Sequence, residues 1–358
     1  MWLERTRTLG WLLLLGCLWP GTAAAFTCET PFSDGCHEAV TAAAIRTTGW
    51  PDGQADPTDN GADATLVENL LFHPPTDLAD RWSVAALVGV RHNDFAGNRP
   101  TSPDRLAAIH NHAEEQGAHC LRAPGDDGVE GDAAALSACR AYILAEVEEA
   151  LGASDVIDLE DTVSVSLALK YEVTDVAMSR FAFHMGHALH ALQDSFTHTF
   201  RHPDAPKVVL SVFNYIDPAF EPHYDPDIDG LPHRSDFDTC KPGQNVFRIT
   251  QATAASVELL MAASGSTTRA DRLAAVTQVL EAWLTPSTEP CDASNGYCGV
   301  VDQDGEPIEA LRVPGLFEGD AGCAAPGATG AGAWCLLGLL ALAFVLRRRI
   351  HRGRGATP

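Results

Sequence analysis

Residues 183–202 read FHMGHALHALQDSFTHTFRH. If this stretch is a helix, His190, Asp194 and His198 follow one another at i, i+4 and i+8, and at about 100° per residue they fall within an arc of about 80°. His187 lies inside that arc and His184 just beyond it. One helix face thus carries several side chains of the kind that bind metals.

Ala188, Leu189, Ala191 and Leu192 lie between these polar residues and should hold the segment inside the molecule. Neutral imidazoles and a carboxylate are ligands that zinc accepts, and an i, i+4 pair sets two donors one turn apart, so both can reach one ion at about 2.0–2.2 Å. A carboxylate between two histidines can also bridge two ions. Gly186, one turn before His190, leaves room for another helix or for the ions themselves. His184 and His187 are expected to orient the ligands rather than bind metal.

Outward from this stretch, helical periodicity dominates over 36–46, 78–90, 102–116, 132–151, 164–199 and 249–284. The pattern predicts an all-α, multi-helix domain over 26–285. One small extended or hairpin insertion is expected at 207–216, KVVLSVFNYI, where β-branched and aromatic residues gather.

The two ends have a different character. Arg5 and Arg7 precede an apolar run, and Ala23-Ala24-Ala25 has the small-residue pattern of a cleavage site, so 1–25 is expected to be a signal peptide. From 286 to 330 Pro, Gly and Asp thicken into a linker. Residues 331–346, AGAWCLLGLLALAFVL, are apolar and uncharged, and 347–358 form a basic tail with five arginines. These features predict one C-terminal transmembrane helix with the arginines kept on the cytoplasmic side. The expected location is the cell envelope or surface.

Charge narrows the function. The chain has 24 basic and 48 acidic residues, a formal charge of −24, and removing the two ends takes away seven basic residues and one acid, leaving about −30. That balance argues against general nucleic-acid binding. In an oxidising compartment Cys28/Cys36, Cys120/Cys139 and Cys291/Cys298 are plausible disulfides, with Cys240 left over. No Cys-x2-Cys pair, Gly-Lys-Ser/Thr phosphate loop or Gly-x-Ser-x-Gly elbow occurs.

Gly186 to Asp194, with His198 after it, resembles the central helix of the zinc-dependent phospholipase C superfamily, which includes clostridial alpha-toxins and single-strand-specific fungal nucleases. The resemblance implies an all-helical fold and two to three zinc ions in a cleft, with His190, Asp194 as a bridging carboxylate, and His198 among the ligands. The last histidine follows the aspartate sooner here than in the toxins, which weakens the implied activity more than the implied metal. The family also uses the amino group and carbonyl of the mature first residue. Cleavage after Ala25 makes that residue Phe26 and puts His37 eleven residues on.

The resemblance further implies Asp94, in RHNDFAGN, and His119, before an acidic Gly-containing turn, with His92, His110 and His112 as rivals. Asp94 would serve as ligand or general base. The family's closing His-x3-Glu is missing after the central helix, so the last pair is His233 with Asp236, with His223, Asp227 and Asp238 as other candidates. Gly322-Cys323, the apolar segment and the arginines resemble the C-terminal sorting signal of myxobacterial surface proteins, which implies a sorting protease or transpeptidase as partner.

The implied reaction is hydrolysis of a phosphodiester, with a phospholipid ranked above nucleic acid because long polyanions are repelled at a distance. The competing expectations are a non-catalytic surface or adhesion protein clamped by metal, and a nuclease or phosphatase of the same superfamily.

Overall fold

The stretch that carries His190 and Asp194 is a helix, Arg180–Thr197, and nearly all of its side chains from Phe181 onward are buried. It is the central rod of the molecule. A computed structural model describes residues 27–288, apart from 31–32, 34, 51–63, 103–111, 203–204, 215–225, 232, 234–236, 241–244 and 266–267. The signal segment 1–25, the span 331–346, the tail 347–358 and the pair Cys291/Cys298 lie outside the described residues. Among the described residues no helix is long and apolar enough to cross a membrane.

The described chain runs α1 (Cys36–Thr48), α2 (Ala64–Asn69), a short 3-10 turn, α3 (Arg81–Phe95), a 3-10 turn over Ala113–His119, and α4 (Gly128–Leu151). There follow β1 (Thr162–Ala168), β2 (Val173–Ser179), α5 (Arg180–Thr197), β3 (Thr199–His202), β4 (Ala205–Val212), α6 (Pro226–Asp229), α7 (Val246–Gly265), α8 (Arg269–Trp283) and β5 (Thr285–Pro286). Helix α5 packs against α3, α4 and α7.

The expectation of an all-α domain is overturned by two small sheets. β1 and β2 form an antiparallel hairpin, and β3, β4 and β5 form a three-stranded sheet in that order, with β5 parallel to β4. Residues 164–179, expected as the front of a helix over 164–199, lie instead in β1, the turn after it and β2, and they alternate. Val165 and Leu167 are buried while Ser164 and Ser166, which alternate with them, are exposed, the period-two pattern of a half-buried strand. The stretch expected to be extended does form strand β4.

Helices α3 and α5 cross where Gly89 meets Gly186. A Cβ on Gly186 would lie 2.3 Å from the Ala86 carbonyl oxygen, and one on Gly89 would lie 2.1 Å from that of Phe183. The room left by Gly186 is therefore taken by a helix, and this close approach sets the last turn of α3, with His92 and Asp94, against the histidine face of α5.

Among the described residues two disulfides close the fold, Cys36–Cys240 and Cys120–Cys139. The Cys28/Cys36 pairing is corrected: Cys240, which had no mate in the sequence, takes Cys36, and Cys28 stays a buried free thiol. Spacing favoured the nearer partner, but the fold brings the 240 loop onto the start of α1, where Thr27 N–H donates to the Asp238 carbonyl.

Candidate metal centre

Each side chain at the centre is aimed by the element that carries it. His37 lies in the first turn of α1 beside the Cys36 disulfide, and Glu38 next to it pairs with Arg91 of α3 inside the protein. That ion pair ties α1 to the helix that carries Asp94 in its last turn. His119 ends a 3-10 turn and is followed at once by the disulfide-bonded Cys120. His190 and Asp194 come from α5.

Asp194 is the hub. Its Oδ1 lies 3.0 Å from His37 Nε2, and its Oδ2 lies 3.0 Å from both His190 Nε2 and His119 Nδ1. His190 Nε2 is also 3.3 Å from His119 Nδ1 and 3.4 Å from Asp94 Oδ1. All five side chains are buried. Two donors bound at about 2.0–2.1 Å to one tetrahedral ion sit ~3.3 Å apart, so these separations match the edges of a coordination shell.

Hydrogen bonds on the outer side fix the tautomers. His190 Nδ1 lies 2.8 Å from the Val90 carbonyl, which only accepts, so Nδ1 carries the hydrogen and Nε2 presents a lone pair to Asp194 and Asp94. His37 Nδ1 lies 2.8 Å from Gln193 Oε1, and the Gln193 amide nitrogen donates to Thr41 and Ser256, which fixes its orientation. Neutral imidazoles thus turn lone pairs towards carboxylate oxygens, an arrangement that only a cation, proton or metal, reconciles. Imidazoles anchored in this way by an outer acceptor are typical of metal ligands.

Without a metal, protons take this place. Burial opposes charge on His37, yet Asp194 outweighs it and lifts His37 to about 9, whereas burial pushes its stacked neighbour His190 down. Asp194, although buried, is held well below the usual carboxylate range by His190, His198 and His37. Burial opposes charge on His119 as well, yet Asp194 and Asp94 raise it, so protons on these imidazoles stand where a metal ion would otherwise take their lone pairs.

Helix α5 stops at Thr197. His198 takes the cap position, and its N–H donates to the Asp194 carbonyl at 2.9 Å. Its side chain therefore does not continue the row formed by His190 and Asp194. It joins His233, whose Nε2 is 3.3 Å from Asp238 Oδ2, and its Nδ1 donates to the His119 carbonyl. Burial pushes His198 down to about 3 against the pull of Asp194, and its buried Nε2 has no hydrogen-bond partner among the described residues.

Four groups of described residues can hold a metal ion: His37/His190/Asp194, Asp94/His119/His190, His198/His233/Asp238 and Glu146/His184/His187. The first three gather His37, Asp94, His119, His190, Asp194, His198 and His233 from segments far apart in sequence. Asp238, two residues before Cys240, stands beside His233; Asp236 and Phe26 lie outside the described residues, as do the rivals His110 and His223. His112 is exposed at the start of the 3-10 turn, and His92 stands against His187. The free Cys28 thiol donates to Asp94 Oδ2 at 3.3 Å.

His184 and His187 are not at the centre. They meet Glu146 of α4, a residue the sequence reading missed. Its only signal was a lone acid in a helical stretch, and nothing in the sequence says that α4 packs on the first half of α5.

The chain matches no family model, no curated protein and no solved structure. The functional reading therefore rests on the geometry of the site.

Proposed function

We propose that the protein is an exported zinc-dependent phosphodiesterase whose preferred substrate is a phospholipid headgroup. The observation that carries the reading is the convergence on Asp194 of three imidazoles and a second carboxylate, with a third group of ligand type one turn further along. Nitrogen and oxygen donors without thiolates suit zinc. His37 and Asp194 would hold one ion and Asp94, His119 and His190 another, with Asp194 beside both, since the one lone pair of His190 serves a single ion; His198, His233 and Asp238 would hold a third. Clustered zinc supplies Lewis acidity and an activated water for attack on phosphorus.

The chain's own residues have distinct tasks in this reading. Asp194 bridges the first two groups, and the Val90 carbonyl and the Gln193 amide orient His190 and His37. Asp94, whose carboxylate borders both His190 and the Cys28 thiol, serves as ligand or as general base. The charge of about −30 on the exported part disfavours long polyanions, so a compact headgroup ranks above nucleic acid. Two disulfides suit an oxidising compartment, which agrees with export through the N-terminal segment. The C-terminal segment would tether the protein until a sorting protease or transpeptidase processes it.

A second reading has a specific observation in its favour. His37, His190 and Asp194 are completely buried, as suits metals that clamp a non-catalytic surface or adhesion protein.

A hydrolysis screen of the zinc-loaded full chain against phosphatidylcholine, a phosphomonoester and single-stranded DNA decides between them. Turnover of phosphatidylcholine that Asp94→Asn abolishes supports the phospholipase reading. Zinc-loaded protein inert towards all three substrates establishes the clamp.

A further inference from the structure

The first half of α5 carries a polar cluster that the central site does not use. His184 and His187 project towards α4, where Glu146 Oε2 lies 2.8 Å from His184 Nδ1 and 3.3 Å from His187 Nδ1. One donor atom from each of the three residues fits within 4.8 Å of the other two. We infer that Glu146, His184 and His187 bind a divalent first-row transition-metal ion at a site of their own, distinct from the central groups and independent of the activity proposed above.

The hydrogen bonds around His187 lead to this inference. His92 bonds to the Ser166 backbone and presents Nδ1 to His187 Nε2 at 3.2 Å. A carbonyl only accepts, so His92 uses its hydrogen there and its Nδ1 accepts from His187 Nε2–H. His187 Nδ1 is then a lone pair. It faces Glu146 Oε2 and, at 3.5 Å, the Tyr142 hydroxyl oxygen. The Tyr142 hydrogen is spent on Asn93 Oδ1 at 2.5 Å, and the Asn93 amide is oriented by donating to the Ala118 carbonyl.

Only acceptors therefore surround His187 Nδ1, and a positive centre belongs among them. His184 can meet Glu146 with Nδ1–H from a neutral ring, but His187, whose hydrogen goes to His92, has none left for its Nδ1 side. A single divalent ion balances Glu146 and leaves both rings neutral. Two nitrogens and a carboxylate oxygen form a borderline set, accepted by zinc and its neighbours in the first row. The three side chains are 13–16% exposed, so an ion can enter from solvent and a coordination position stays open to water. His92 is a positioning residue, fixing the ring of His187 through its far nitrogen.

Metal content of the full chain, loaded with Zn2+ or Co2+ and stripped of loosely held ions, tests this. His184→Ala and Glu146→Gln should each lose one ion per chain relative to the wild type, with the remaining ions kept and the circular dichroism unchanged. His92→Ala should keep the ion with affinity lowered about 10–100-fold. The site is overturned if the wild type and both direct variants bind equal numbers of ions. The outcome also separates this site from the central reading: a wild type with one ion that both variants lose leaves this site standing and removes the central one.

Discussion

The two halves of α5 carry similar side chains in different settings. Its second half presents His190 and Asp194 to residues from α1, α3 and the 3-10 turn, all buried, with His198 at its cap reaching the 233–238 loop. Its first half presents His184 and His187 to one neighbouring helix, partly open to solvent. The inner cluster can form only when the whole chain has folded, so the energy of ligand binding there is energy of folding. The outer cluster needs one helix pair and is an addition to a structure that already stands.

That contrast fails or holds first at the two carboxylates. Asp194→Asn removes the hub of a buried network, which costs about 3–5 kcal/mol when one buried partner is left behind; any ion held there takes its binding energy with it. The melting temperature should fall steeply and lose its sensitivity to chelator. Glu146→Gln, at a cluster 13–16% exposed and braced by one helix pair, should cost less, about 1–3 kcal/mol. Equal losses in thermal denaturation of the two variants would erase the distinction between the clusters.

The disulfides sharpen it further. Cys36 adjoins His37, Cys240 follows Asp238 by two positions, and Cys120 adjoins His119, so both bridges brace the inner cluster and neither touches the outer one. Loop-closure entropy for separations of 204 and 19 residues assigns about 5 kcal/mol to Cys36–Cys240 and about 3 kcal/mol to Cys120–Cys139. Cys36→Ser/Cys240→Ser should therefore unfold at lower denaturant than Cys120→Ser/Cys139→Ser, and both should weaken metal binding at the centre while the outer ion stays. A reversed order of the two midpoints would show that local strain, not chain length, sets their worth.

The helical face of 190 and 194 was legible because burying a polar row among Ala and Leu is costly unless its members have something to bind. The convergence of His37 and His119 on Asp194 rested on resemblance, since no local pattern reports contacts between residues this far apart. The end of α5 was not legible. Residues 195–199 keep helical composition, but Thr199 leads into β3, and the cap turns His198 to a different group. The β1–β2 hairpin was missed although Val163, Val165 and Leu167 alternate with polar residues, because helical periodicity after 180 was extended backwards through it. Cys240 could not be assigned a partner because its mate is set by the packing of the 240 loop on α1.

The most gradual effect lies in the pH dependence, and there the inner cluster should act alone on the alkaline side. In the metal-free protein His198, at about 3, and His92, at about 4, lie below the unfolded value near 6.5, mainly through burial. Their contribution is present above pH 6.5 and is lost as the pH falls towards 3–4, because the unfolded chain then binds more protons. His37, at about 9, has the opposite sign: Asp194 favours its charged form, so its contribution is full below pH 6.5 and disappears as the pH rises through 9. Chelated protein should therefore be most stable near pH 6.5 and lose about 1 kcal/mol per pH unit on the alkaline side. An ion on His37 Nε2 replaces that proton, so metal-loaded protein should show no alkaline decline up to pH 9, and Glu146→Gln, which removes a charge facing His92, should leave the alkaline limbs as they are while altering the acid one. Denaturant titrations across pH 5–9 measure this directly, and an alkaline limb that is the same with and without metal would mean that His37 carries a proton rather than an ion.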